Sequence, residues 1–116
     1  MHEFGIIQDV LVTLEKTVVL HGLKKVNKVT IQVGRLRQVV PENLQFAFSV
    51  LSENTIFSDA KLIIIEVPIT VLCKACNKKT EVNDMIFVCP NCGSTDLDIL
   101  NGKEIVLESI EGEGKR

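Results

Sequence analysis

The chain of 116 residues contains no tryptophan and no tyrosine, and phenylalanine occurs only five times. Its core must therefore be aliphatic, and platforms for stacking nucleic-acid bases are scarce. Charge of one sign is lacking too: thirteen Lys and Arg against fifteen Asp and Glu leave a formal net charge of −2, without the basic field that drives binding to phosphate backbones. No apolar run approaches the roughly 20 residues that cross a bilayer, so no membrane partner is expected. One such short run, Leu62 to Ile65, reads as a strand. No secretory leader is evident before the helical pattern begins, which leads us to expect a cytoplasmic protein. No nucleophile-and-base pair, phosphate loop or open-coordination zinc is visible, so an enzyme is not expected.

What the chain does have is four cysteines in one stretch, Cys73-Lys74-Ala75-Cys76, twelve residues, then Cys89-Pro90-Asn91-Cys92-Gly93. A Cys-x-x-Cys pair presents two thiolates from one tight turn, and two such pairs close the tetrahedral four-sulfur shell preferred by structural zinc. Gly93 suits the turn, and Pro90 stiffens it by fixing one dihedral. Disulfides would suit a secreted mini-protein, but with 46% hydrophobic residues this chain can build a core without covalent staples. A thioredoxin-like redox centre needs one such pair at a helix start, whereas here there are two. Ligand type alone also admits an iron–sulfur cluster, although two symmetric knuckles favour a single tetrahedral ion.

Around this stretch the hydrophobic period changes along the chain. Phe4, Ile7, Leu11, Leu14 and Val18 recur at three- and four-residue steps, widened by Ile6 and Val10, and predict a helix from Glu3 to Leu20 that Gly22 closes. From Lys25 to Val33 the period is two, with Val29, Ile31 and Val33 on one face, which predicts a half-buried strand. Pro41 opens a second helix, expected to run to Glu53 with Leu44, Ala47, Phe48 and Leu51 on its core face. Lys61–Val67 is apolar on both sides and is expected to be a central strand, ended by Pro68. If the strands flanking the second helix are parallel, their crossover should be right-handed. After the cysteine stretch, Asn101-Gly102 is a turn and Lys103 to Ile110 a last strand, with Glu111 to Arg116 expected to fray.

These patterns predict an α+β fold, two helices on a three-stranded sheet, with the cysteine stretch as an excursion between two strands of that sheet. Residues 1–68 and 101–116 would form one domain and 69–100 a zinc-binding module. The module has few large apolar residues and should need its metal to fold.

Taken together in order, Met1-His2-Glu3, Val33-Gly34-Arg35-Leu36, Val40-Pro41-Glu42-Asn43-Leu44, Phe46-Ala47-Phe48, Ala60-Lys61-Leu62 with Pro68, the paired knuckles and Gly102-Lys103-Glu104 resemble the HypA family, the metallochaperones of nickel–iron hydrogenase maturation. The resemblance implies a nickel-binding domain of two helices on a three-stranded mixed sheet, with a zinc-ribbon-like module inserted before the last strand. It places nickel-binding residues at Met1, His2 and Glu3, with Zn(2+) structural at Cys73, Cys76, Cys89 and Cys92 and Ni(2+) as transported cargo. It implies a HypB-type GTPase and a [NiFe]-hydrogenase large-subunit precursor as partners, and in some relatives urease maturation.

The chemistry of that amino terminus stands on its own terms. A free α-amine, the backbone nitrogen of His2 and its imidazole Nδ1 can wrap one divalent ion in adjoining chelate rings, a donor set suited to square-planar nickel or copper. Glu3 has a second reading, since a carboxylate in the first turn favours the helix dipole. His21, the other histidine, sits where a cation suits a helix end. The competing function is a zinc-ribbon module that binds nucleic acid or joins a larger assembly. Between Cys73 and Cys92, however, Lys74, Lys78 and Lys79 are offset by Glu81 and Asp84, and Phe87 alone could stack on a base.

Overall fold

The computed structural model describes residues 2–83 and 85–114, with side chains from residue 3 onward. Helix α1 spans His2–His21, and of its predicted apolar stripe Ile6, Ile7, Val10, Leu14 and Val18 are buried while Phe4 and Leu11 are half-buried. Gly22 follows in the left-handed region, at φ +63, and its amide reaches back to the Val19 carbonyl at 3.3 Å. Strand β1, Leu23–Gly34, leads through a 3-10 turn at Arg35–Arg37 to helix α2, Pro41–Leu51. Pro41 stands at the helix start, where a missing amide hydrogen costs nothing, and Leu44, Ala47 and Phe48 are buried while Leu51 is half-buried. The helix stops short of Glu53, and Ser52, itself buried, closes it by donating to the Phe48 carbonyl at 2.9 Å.

Strands β2, Lys61–Val67, and β6, Ile105–Gly114, flank β1 in a three-stranded sheet of order β2-β1-β6. The expectation of a central β2 is thereby corrected. The centre is β1, which buries Val26, Val29, Thr30, Ile31 and Val33, so both of its faces are covered around Thr30. The apolar run of β2 instead lies at an edge, where Leu62 is buried, Ile63 and Ile64 are half-buried and Ile65 is 41% exposed. The expected fraying from Glu111 is also corrected, because β6 continues to Gly114. Glu111 pairs with Lys28 at 3.3 Å, and at Gly112 the backbones approach so closely that a Cβ would strike the Lys25 carbonyl. Lys115 and Arg116 lie outside the described residues.

The segment between β2 and β6 carries more regular structure than its turn-rich sequence suggests. Strands β3, Ile69–Cys73, β4, Lys79–Val82, and β5, Leu97–Asn101, form a second antiparallel sheet of order β4-β3-β5. Ile69 pairs with Val82 and Cys73 with Leu97, and a register shift falls between Thr70 and Val71. By contact the chain forms two compact units. One comprises Met1–Ile31, Val39–Ile64 and Leu107–Arg116, and in it α1 packs on α2; the other comprises Gln32–Gln38 and Ile65–Val106. In the second, Ile69, Val71 and Val82 make a small buried cluster with Leu36, Met85, Phe87, Leu97 and Ile99 against it. Among the described residues, no helix is long and apolar enough to cross a membrane.

Candidate metal centre

The two cysteine pairs are built by one local rule applied twice. In the first knuckle the Asn77 amide donates to the Cys73 carbonyl at 2.8 Å and the Cys73 amide to the Lys78 carbonyl at 2.9 Å. In the second, the Gly93 amide donates to the Cys89 carbonyl at 2.8 Å and the Cys89 amide to the Ser94 carbonyl at 2.8 Å. Both turns require a left-handed residue four places after their first cysteine. Gly93 supplies it at φ +79 and Asn77 at φ +62, asparagine being among the few non-glycine residues that tolerate that region. The first knuckle hangs from the end of β3 and the second precedes β5, so the antiparallel pairing of those strands brings the two turns together.

All four Sγ atoms lie within 4.8 Å of one another, and among the described residues this is the one grouping of three or more potential metal ligands. Cys73 and Cys92 are 3.6 Å apart and Cys76 and Cys89 3.7 Å, and no disulfide joins them. A tetrahedral ion with Zn–S bonds of about 2.3 Å separates its sulfurs by about 3.8 Å, so this donor set fits such an ion. Cys73 and Cys89 are buried, Cys76 is half-buried and Cys92 exposed, so the cluster has a protein side and a solvent side.

The electrostatics of the thiols point the same way. Cys76 is brought down to about 6, first by the Asn91 side-chain amide, 3.5 Å from its sulfur, and then by the backbone of Lys78. Cys89 is also lowered, chiefly by the Cys92 backbone amide. For Cys92 the strongest single influence, the Ser94 backbone, lowers it too, yet the adjoining sulfurs of Cys73, Cys76 and Cys89 together with desolvation outweigh it and push the thiol up to about 12. Four thiolates this close cannot all ionise unaided, and a divalent cation removes the conflict by ionising every ligand. Asn91 escaped the sequence reading, which saw only a spacer in Cys-Pro-Asn-Cys. Lys74, beside the first knuckle, is engaged by Asp98 of β5 at 3.5 Å, and Arg35 by Glu66 at 3.5 Å. Phe87 is half-buried against the Ile69 cluster. Asp84 lies outside the described residues.

The family resemblance implies a second site at the amino terminus. Met1 and the His2 side chain lie outside what is described; His2 enters as the first residue of α1. Glu3 is half-buried, and its Oε2 lies 3.5 Å from the Val40 amide at the start of α2. His21 is exposed at the end of α1, away from any grouping of ligands among the described residues.

Comparison with known proteins identifies a family. Residues 1–112 match the family described as hydrogenase/urease nickel incorporation, metallochaperone, hypA. The hydrogenase maturation factor HypA of Moorella thermoacetica is 36% identical over 113 residues, covering 97% of this chain and all of its own length. That of Francisella philomiragia is 38% identical over 110 residues, covering 95% of this chain and 97% of its own. Among solved structures, the Ni metallochaperone HypA from Helicobacter pylori shares the fold with a TM-score of 0.72 at 23% identity, covering 97% of this chain and 98% of its own. A second HypA solution structure gives 0.73 at 24% identity, covering 99% of this chain and 98% of its own. With two helices, two three-stranded sheets and one cluster of four cysteines accounted for, the chain belongs to the HypA family of hydrogenase and urease nickel-incorporation metallochaperones, which are maturation factors and not enzymes.

Proposed function

We propose that this protein binds one Ni(II) at its amino terminus and passes it towards a [NiFe]-hydrogenase large-subunit precursor, while Zn(2+) held by Cys73, Cys76, Cys89 and Cys92 keeps the second unit folded. The observation that carries the reading is the family match, which starts at residue 1 and so includes Met1-His2-Glu3. Helix geometry supports it, since α1 begins at His2 and the first amides of a helix have no intrahelical acceptor. That leaves the His2 nitrogen available to join the Met1 amine and the imidazole Nδ1 around one ion. Nitrogen donors of this kind suit nickel and copper, whereas the four-thiolate cluster suits zinc, so the two metals are sorted by ligand chemistry. A HypB-type GTPase as partner, urease maturation as a further use and a cytoplasmic setting complete the proposal. A nucleic-acid role is disfavoured, because the net charge is negative and Phe87 is half-buried against the Ile69 cluster.

The test is a nickel titration of the untagged protein beside His2→Ala and a copy carrying one extra residue before Met1. Both changes should abolish tight nickel binding and leave one equivalent of zinc in place. Equal loss of the two metals would show one composite site where two are proposed.

A further inference from the structure

Helix α2 opens on Val40, and no side chain of its own caps its first turn. The group that comes nearest to doing so belongs to α1: Glu3 Oε2, 3.5 Å from the Val40 amide, at the helix end whose dipole draws negative charge. The next residue makes a second attachment. Phe4 sets its ring edge-on to Phe46 of α2, with centroids 6.2 Å apart and planes at 71°. Two successive residues of α1 are thus fixed to two points along α2, which constrains both where the first turn of α1 lies and how it is rotated. Phe46 itself is 61% exposed, so the core gives no account of an aromatic at that position.

We infer that Glu3 and Phe46 are positioning residues for the amino-terminal nickel site, clamping the first turn of α1 onto α2 so that nickel meets a chelating segment already held in one conformation. The inference rests on the nickel reading above and assigns the Glu3 carboxylate to the start of α2, outside the ligand shell of the ion. Affinity for a segment that is competent only part of the time falls in proportion to the competent fraction. Loosening the clamp therefore weakens nickel binding without changing which atoms bind. The same logic separates the two substitutions at Glu3: glutamine keeps an oxygen to accept from the Val40 amide, whereas alanine does not.

The experiment compares Glu3→Gln, Glu3→Ala, Phe46→Ala and, as a control elsewhere on the exposed face of α2, Val50→Ala. Three quantities are read: nickel affinity by titration, the visible absorption spectrum of the nickel-loaded protein, and the Val40 amide by NMR in the metal-free protein. Glu3→Ala and Phe46→Ala should weaken nickel roughly three- to tenfold, the scale set by loss of a helix cap, with an unchanged spectrum. Glu3→Gln and Val50→Ala should stay near the parent, and the Val40 amide should move in Glu3→Ala and not in Val50→Ala. A spectrum altered equally by Glu3→Gln and Glu3→Ala would make Glu3 a ligand and overturn the inference. So would nickel affinity unmoved in Phe46→Ala. If nickel binding survives His2→Ala, the reading of the site itself fails; if it is lost there but unmoved in Glu3→Ala and Phe46→Ala, only the clamp fails.

Discussion

The two units of this protein solve the same problem with different materials. The first buries Ile7, Leu14, Val26, Val29, Ile31, Leu44, Ala47, Phe48, Phe57 and Leu62 between two helices and a sheet, enough apolar surface to hold itself together. The second buries Val33, Ile69, Val71 and Val82, and its other buried positions among the described residues are Cys73 and Cys89 and two glycines, Gly34 and Gly102. Where the first unit has a core, the second has a small core and a cluster of four thiols that repel one another when ionised. Under the function proposed above, the difference keeps stability and cargo apart. The metal that holds the second unit needs a closed shell, whereas a metal to be delivered needs ligands that let go.

The largest effect should come from breaking the second unit at its metal. Cys76→Ser removes one of four ligands, and since structural zinc contributes about 10–16 kcal/mol to folding in small modules, residues 65–106 should lose zinc and their dispersed NMR signals. Signals from α1 and α2 should persist, because their aliphatic contacts do not depend on the ion. A variant that kept one equivalent of zinc and a native second unit would end the four-sulfur assignment.

Next in size is the response to pH, which sharpens the contrast between the two metals. The α-amine and imidazole titrate at about 7.7–8.0 and about 6.5 when unperturbed, so protons compete with nickel at both groups as the pH falls from about 8 to 6. The four thiols instead form a closed shell around a single ion, which holds all of them deprotonated at once. Nickel affinity should therefore drop steeply across this window while zinc content stays level, with zinc lost only at lower pH. Parallel titrations of both metals on untagged protein check this, and flat nickel affinity would rule out a site built from the amine and His2.

Within the first unit, Leu44→Ala removes a fully buried side chain at the α2 core face. It should cost about 2–5 kcal/mol in chemical denaturation, with zinc stoichiometry unchanged. The smallest effect belongs to Lys28→Ala, which breaks the pair with Glu111 on two exposed side chains. A loss below about 1 kcal/mol is expected, since solvent screens such pairs.

Much of this was legible in the sequence, and the parts that were not share a cause. The helices announced themselves because one buried face sets a 3.6-residue period, and the metal centre because Cys-x-x-Cys spacing is imposed by the ion. The position of β2 was misread because a run such as Leu62 to Ile65 records how apolar a strand is, and says nothing of which neighbours it hydrogen-bonds. Strands β3, β4 and β5 went unseen as a sheet because they are short, at five, four and five residues, and are specified by pairings such as Ile69 with Val82 that lie far apart in the chain. Asn77 had a readable signal: it stands where Gly93 stands in the second knuckle, and asparagine is a common substitute at such a turn. Asn91 had none, since its bond to Cys76 spans fifteen residues.

The strand order β2-β1-β6 also bears on how the chain is made. Strand β6 leaves the ribosome after every other described element, yet it is a direct neighbour of the central strand β1. Without it, β1 has an open edge. A chain shortened before Ile105 would therefore keep all four cysteines yet leave the central strand with an unpaired, association-prone edge.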